Sequence, residues 1–248
     1  MVRVAVIGAS GRMGGQACQA VEGADDLELV ARIGRDDPLE RIVEARADVA
    51  VELSVPDAAP GNVAFCVDHG VHAVVGTTGW DEPALADLRA RLERHPDVGV
   101  LVAPNFALGA VLAMRFAEMA APYFESVEVV ELHHPEKVDA PSGTARRTAE
   151  QVAAARRAAG TGPSPDATVS ALAGARGADV DGVRVHSVRL RGLVAHQEVL
   201  LGGAGEQLTL RHDSFDRVSF MPGVLHGVRT VASRPGLTVG LEHYLDLG

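Results

Sequence analysis

Over the first hundred residues, short aliphatic and β-branched runs alternate with segments whose apolar residues recur at helical spacing. The strand-like runs cover residues 2–7, 27–33, 49–53, 71–75 and 98–103. Between them lie residues 13–21, 39–45, 63–69 and 84–92, with Asp57 and Asp81 placed to cap the last two helices. Parallel strands need a crossover connection, so this alternation predicts βαβ units and a parallel sheet with helices on both faces.

After Pro104 the pattern changes. The spacing predicts a helix over 107–120, a strand over 127–133, a loop through Pro135 and Pro141, and a helix from a Ser142 cap to about residue 159. A turn-rich stretch, 160–165, precedes three strand-like runs at 183–190, 198–201 and 207–211 with hairpin-like spacing, and a last helix at 223–233. The fold class expected is therefore α/β: an N-terminal Rossmann-like sheet plus an α+β C-terminal domain with an open sheet. The expected domains are 1–106 and 107–217. The natural cover for an open sheet face is another subunit.

Composition narrows the partners. The chain has 248 residues, enough to bury a core without metal or disulfide staples, and 47% apolar with 23% charged residues excludes wholesale disorder. A net charge of −10 and only six Phe, two Tyr and one Trp argue against a nucleic-acid surface. No run reaches the ~18 apolar residues of a membrane span, and the first residues lack the features of a signal peptide. Cys18 and Cys66 stand far apart and form no redox or chelating pair. A cytoplasmic location is expected. Of the 23 basic residues only Lys137 is lysine. Where a chain otherwise uses arginine, a lone lysine points to a position that needs a compact ammonium able to give up a proton.

Three sets of loops carry the chemistry. Gly8-Ala9-Ser10-Gly11-Arg12-Met13-Gly14 lies between the first strand and the first helix, where glycines permit a tight turn and close approach of a pyrophosphate to a helix N-terminus. Gly76-Thr77-Thr78-Gly79 and Ala103-Pro104-Asn105-Phe106 follow two other strands, at the edge where open parallel sheets bind ligands. The densest segment is Glu131-Leu132-His133-His134-Pro135-Glu136-Lys137-Val138-Asp139-Ala140-Pro141-Ser142-Gly143-Thr144-Ala145. Imidazole and ammonium both transfer protons, and the N–H groups near Gly143 and Thr144 are expected to face outward as a carboxylate or phosphate cradle. Adjacent strand residues point to opposite faces, which argues against His133 and His134 sharing a zinc ion, and no metal is expected. Ser142 reads as a helix cap rather than a nucleophile.

That segment, with the N-terminal glycine loop, Gly-Thr-Thr-Gly and Ala-Pro-Asn-Phe, resembles the 4-hydroxy-tetrahydrodipicolinate (dihydrodipicolinate) reductase family, especially its actinobacterial branch. The resemblance extends through Gly174-Ala175-Arg176-Gly177 and Arg211-His212-Asp213-Ser214. It implies an NAD(P)H-dependent reduction in the diaminopimelate route to lysine, a homotetramer, and a final segment, about 218–248, that packs on the nucleotide domain. In the reaction that the resemblance implies, hydride passes to C4 of a cyclic dicarboxylate and a proton to the neighbouring carbon. It also implies that His133 is the general acid/base and that Lys137 donates a proton and pairs a carboxylate. Substrate contacts fall on His134, Ser142, Gly143 and Thr144. Nucleotide contacts fall on Gly8, Ala9, Ser10, Gly11, Arg12, Met13, Gly34, Arg35, Gly76, Thr77, Thr78, Ala103, Pro104, Asn105 and Phe106.

Two departures from the family pattern concern the nucleotide. Glu52-Leu53-Ser54 stands where Asp-Phe-Thr/Ser is common, and Gly34 replaces the acid usual at the end of the second strand. With Arg12, Arg32 and Arg35 as candidate phosphate partners, NADPH is expected to be preferred over NADH. The alternative is that Asp36 or Asp37 supplies the missing carboxylate. Two other readings compete: a related imine or semialdehyde reductase, and a regulator that binds nucleotide without turnover.

Overall fold

Valine and alanine dominate the first strand runs, and a parallel sheet covered on both faces buries such side chains completely. The computed structural model describes residues 1–246. In it β1 (Val2–Ile7), β2 (Leu27–Ile33), β3 (Val49–Glu52), β4 (His72–Val75) and β5 (Gly99–Val102) form a parallel sheet, and every residue of β3 and β5 is buried. The connecting helices are α1 (Arg12–Glu22), α2 (Glu40–Glu44), α3 (Ala59–Asp68) and α4 (Glu82–Leu92). The sheet order is β2-β1-β3-β4-β5, extended by a sixth strand described below. The chain leaves β1 toward β2 and then returns past it to β3. That reversal opens a crevice at the carboxyl ends of β1 and β3.

The α4 cap is as expected: the Asp81 carboxylate accepts from the Ala84 N–H at 3.0 Å. Asp57 does not cap α3. That helix begins at Ala59, with Ala58 at the cap position and Pro60 in its first turn. Proline fixes a helical φ and has no N–H to satisfy, so Pro60 fits the first turn; Ala58 takes the cap position and Asp57 lies one residue outside it.

The second sheet is built around β6 (Ser126–His133). It follows α5 (Leu108–Ala120) and is followed by α6 (Gly143–Ala158), β7 (Ala178–Val180), β8 (Val183–Arg189), β9 (Ala195–Gly203) and β10 (Glu206–Ser214). The order is β10-β9-β6-β8-β7. Only β9–β10 is the hairpin that the spacing suggested. β8 runs parallel to β6 on its other side, because α6 supplies a crossover between them. One face packs Val127, Val129, Val185 and Leu201 against Ala149 and Val152 of α6. The other carries half-buried Val130, Leu132 and Leu200.

The chain divides into two compact units. One is Met1–Leu108 together with the chain from Arg217 onward, and the other is Gly109–Asp216. In the first unit α7 (Met221–Thr230) buries Met221, Val224 and Val228, and β11 (Gly236–Val239) pairs with β5 as the sixth parallel strand. No helix among the described residues is long and apolar enough to cross a membrane.

Gly99 opens β5 at the end of the sheet away from the crevice. A Cβ there would lie 2.2 Å from the Val231 carbonyl oxygen and 2.7 Å from that of Arg234, both backbone atoms. Gly99→Ala should cost about 2 kcal/mol and lower the Tm by roughly 4–8 °C in a thermal melt, with nucleotide affinity below the melt unchanged.

Candidate functional site

In the first unit the glycine turn follows β1, and its geometry excludes a side chain at Gly8 and at Gly14. Gly8 has φ +79°, and its N–H, with that of Ala9, donates to the Ile33 carbonyl at 2.9 and 3.1 Å. A Cβ on Gly8 would meet the Leu53 carbonyl oxygen at 2.5 Å, and one on Gly14 would meet the Gly8 carbonyl oxygen at 2.1 Å. β1, β2, β3 and α1 therefore meet through bare backbone. Gly11 caps α1 without a side-chain hydrogen bond, which leaves the Arg12 and Met13 end of the helix as an anion seat.

A cavity of about 320 Å3 opens here, lined among others by Gly8, Ser10, Gly11, Gly34, Arg35 and Asp37. Ala9, Arg12 and Met13 belong to the turn but do not line it. Arg35 is exposed at the rim. Arg32, one of three guanidinium groups expected at the ribose, is instead tied to Glu22 of α1 at 2.5 Å, since its strand position faces that helix. Asp37 accepts from the Gly34 N–H at 2.8 Å and from Arg41 at 2.5 Å. That N–H, more than Arg41, holds its carboxyl below the usual range.

The departure at residues 52–54 also has a local explanation. Glu52 is fully buried; its Oε1 accepts from the Ser54 N–H at 3.1 Å, the Ser54 hydroxyl and the Asn62 amide at 3.2 Å. Ser54 and Asn62 both line the cavity. Further along the sheet edge, Gly76 packs on Leu53 and the Phe106 ring, so the loops after β3, β4 and β5 converge. The Thr77 hydroxyl is buried without a partner among the described residues, Thr78 and Pro104 are exposed, and Ala103 and Phe106 are buried. Asn105 Oδ1 accepts from the Ala107 N–H at 2.8 Å.

In the second unit His133 ends β6, and its Nδ1 donates to Glu131 Oε2 at 2.5 Å. Glu131 is fully buried, two residues back on the same face. Arg189, opposite His133 on β8, grips both Glu131 oxygens at 2.8 and 2.9 Å, and the Ser142 N–H reaches Oε1 at 3.2 Å. Burial alone would raise the Glu131 carboxyl, but hydrogen bonds from Arg189, Ser187 and His133 outweigh it and hold it below the ordinary range. His133 itself is pushed down, first by burial and then by the Lys137 and Arg189 charges, against the upward pull of Glu131.

Lys137 donates to Asp139 Oδ1 at 2.6 Å, and Asp139 Oδ2 accepts from the Gly143 N–H at 3.2 Å. The Gly143 N–H thus does not stand open as expected. A carboxylate three residues before the cap folds back onto the helix start, where the dipole favours an anion. Ser142 is buried and its hydroxyl accepts from the Ala145 N–H at 3.2 Å, the geometry of an N-cap. His134 is half-buried, its Nδ1 without a partner among the described residues, and Thr144 accepts at its carbonyl from the Thr148 hydroxyl at 2.8 Å.

Sequence reasoning missed Arg189. It lies 56 positions from His133, and only the parallel pairing of β6 with β8 makes them neighbours. The two later motif stretches serve other parts of the unit. Arg176 joins Glu128 and Asp166, and Arg211 joins Glu198 and Asp213, which accepts from His196 at 2.7 Å.

Residues 2–106 match the family model described as dihydrodipicolinate reductase, N-terminus, and residues 109–245 match dihydrodipicolinate reductase, C-terminus. A 4-hydroxy-tetrahydrodipicolinate reductase of Streptomyces avermitilis is 65% identical over 246 residues, covering 99% of this chain and 98% of that one. One from Nocardia farcinica is 63% identical, covering 99% of each. The dipicolinate-bound dihydrodipicolinate reductase of Paenisporosarcina sp. TG-14 superposes with a TM-score of 0.89 at 39% identity, covering 99% of this chain and 100% of that one.

The charges around His133 set a measurable titration. In nucleotide-free protein, NMR should show His133 titrating below the ordinary imidazole value of about 6.5. Lys137→Met removes a cation that disfavours the imidazolium, so the midpoint should rise.

Proposed function

This chain belongs to the dihydrodipicolinate reductase family, and on that premise we propose that it reduces 4-hydroxy-tetrahydrodipicolinate, by way of dihydrodipicolinate, to tetrahydrodipicolinate on the diaminopimelate route to lysine. The seat of the Asp139 carboxylate carries the substrate reading. That carboxylate bridges Lys137 Nζ and the Gly143 N–H at 2.6 and 3.2 Å. A carboxylate of a flat cyclic dianion suits the same two donors and exchanges with Asp139 there. His134 and Thr144 are further substrate contacts, and Ser142 serves by fixing the helix start.

The bare glycine turn, the helix start without a side-chain cap and the cavity beside them fit a dinucleotide. Gly8 to Met13, Gly34 and Arg35 would hold its adenosine and pyrophosphate. Gly76 to Thr78 and Ala103 to Phe106 would hold the other end. When bound, the reduced nicotinamide supplies the hydride. The chain supplies the proton: Lys137 pairs a carboxylate and is a proton source, while His133, its Nδ1 occupied by Glu131, transfers protons at Nε2.

The enzyme acts in the cytoplasm as a homotetramer, with the half-buried face of the second sheet as contact surface. Loss of the near-ultraviolet absorbance of reduced nicotinamide, on adding the aspartate-semialdehyde–pyruvate adduct, tests the reaction. A panel of imine and semialdehyde substrates separates the competing reductase. Nucleotide binding without turnover would favour a regulator.

His133→Gln and Lys137→Arg should each lower kcat at least about 100-fold with nucleotide affinity unchanged. His133 must be protonated to act as an acid, so kcat/KM should fall as pH rises through its lowered value. That limb should be absent in His133→Gln. Wild-type turnover in either variant would remove that residue from the mechanism.

NADPH is the preferred cofactor. No acid ends β2, and Arg35 at the cavity rim, with Arg12 on the turn, suits a 2′-phosphate. The alternative draws on Asp37 in the cavity wall. Both of its oxygens, though, are engaged by Gly34 and Arg41. Steady-state kinetics should give NADPH about a tenfold advantage or more in kcat/KM, partly lost at high salt. Gly34→Asp with Arg35→Ala should move the preference toward NADH, and an unchanged ratio would favour Asp37.

A further inference from the structure

The roles given to His133 and Lys137 leave the buried Glu131 carboxylate and the half-buried Arg189 guanidinium behind them without a purpose. We propose that Arg189 is the positioning residue of this site: through both oxygens of Glu131 and the backbone of Asp139 it fixes the His133 imidazole and the Lys137 loop in one arrangement. The proposal rests on the function proposed above for those two residues. The Arg189 guanidinium makes four hydrogen bonds: to Glu131 Oε2 at 2.9 Å, Glu131 Oε1 at 2.8 Å, the Val188 carbonyl at 2.8 Å and the Asp139 carbonyl at 2.7 Å. Glu131 passes that constraint to His133 Nδ1 and to the Ser142 N–H; Asp139 passes it to Lys137 and the Gly143 N–H. One planar fork therefore spans a strand end, a loop and a helix start.

Backbone register makes this rigid. Arg189 pairs with His133 across parallel strands, and Glu131 lies two residues back on the same face. A lysine at 189 would keep the charge, but its point-like ammonium cannot hold two carboxylate oxygens in a plane and also reach the loop. Fixing Glu131 keeps a proton on His133 Nδ1 and leaves Nε2 for chemistry, because the bond made by one ring nitrogen sets the state of the other.

A purely structural role, in which Arg189 only neutralises a buried carboxylate, makes a different forecast. The charged groups about His133 are Glu131 on its own strand, Arg189 on β8, and Lys137 with Asp139 in the loop. The register neighbours on β9, Ala195 and Gln197, bring no charge, and in the first turn of α6 the Arg146 guanidinium is paired with Glu150. Without Arg189, Glu131 would face the imidazole as its main partner and favour the imidazolium.

The test uses the full chain with Arg189→Lys and Arg189→Gln. Nitrogen-15 NMR without nucleotide reads the His133 tautomer, and kinetics across pH read turnover. The parent should show a single neutral tautomer protonated at Nδ1. Arg189→Lys should show a mixture, with kcat lowered about tenfold or more and the nucleotide KM within about twofold. In Arg189→Gln the limb of kcat/KM that falls with rising pH should move to higher pH. A folded Arg189→Lys protein that loses only melting temperature, keeping one tautomer and parental kcat, would overturn the proposal. If Arg189→Gln does not fold, Arg189→Lys decides alone. An active His133→Gln enzyme would overturn the reaction roles instead, and the tautomer measurement would still decide the role of Arg189.

Discussion

A carboxylate with no exposure to solvent, Glu131, lies in the core of the second unit. Removing an ion from water costs several kcal/mol, and stripping away one partner of a buried pair costs about 3–5 kcal/mol. Glu131 meets that cost with a guanidinium fork, an imidazole N–H and a backbone N–H. Each donor comes from a different stretch of chain: β8, the end of β6, and the start of α6. Those stretches meet because the carboxylate cannot be satisfied otherwise. The loop between them, with its lone lysine, inherits its course from that meeting.

The two anion seats contrast. A chain of net charge −10 must build such seats locally. α1 begins at a glycine with no side-chain cap, so its first turn is left to a ligand. α6 begins at a serine that caps Ala145 and an aspartate that occupies Gly143. On the function proposed above, a nucleotide meets the first helix start directly, whereas a dicarboxylate displaces the Asp139 carboxylate at the second.

Much of this was legible in sequence because it is local. Strand runs, glycine turns and the Ser142 cap are set by neighbours within a few residues, and the structure agrees with them closely. Asp57 is not the cap because α3 starts at Ala59, with Ala58 at the cap position, one residue further on than an Asp57 cap requires. β7 and β11 lie between glycines and lack the longer valine-rich runs that make the equally short β3, β4 and β5 legible. Arg32 looked like a phosphate partner until its register on β2 turned it toward Glu22. Glu131 stands within the motif, but nothing local gives it or Arg189 a role, since pairing across a crossover leaves no local trace. Long-range register was the missing information.

The sixth strand of the first sheet has a consequence for biosynthesis. β5 leaves the ribosome well before β11, which arrives only after the whole second unit has been translated. Until then one edge of a nearly complete hydrophobic sheet has its peptide groups unpaired, and the second unit, being continuous, is free to fold first. Translation speed across residues 109–216 therefore sets how long a nascent aggregation-prone edge must wait for its closing strand.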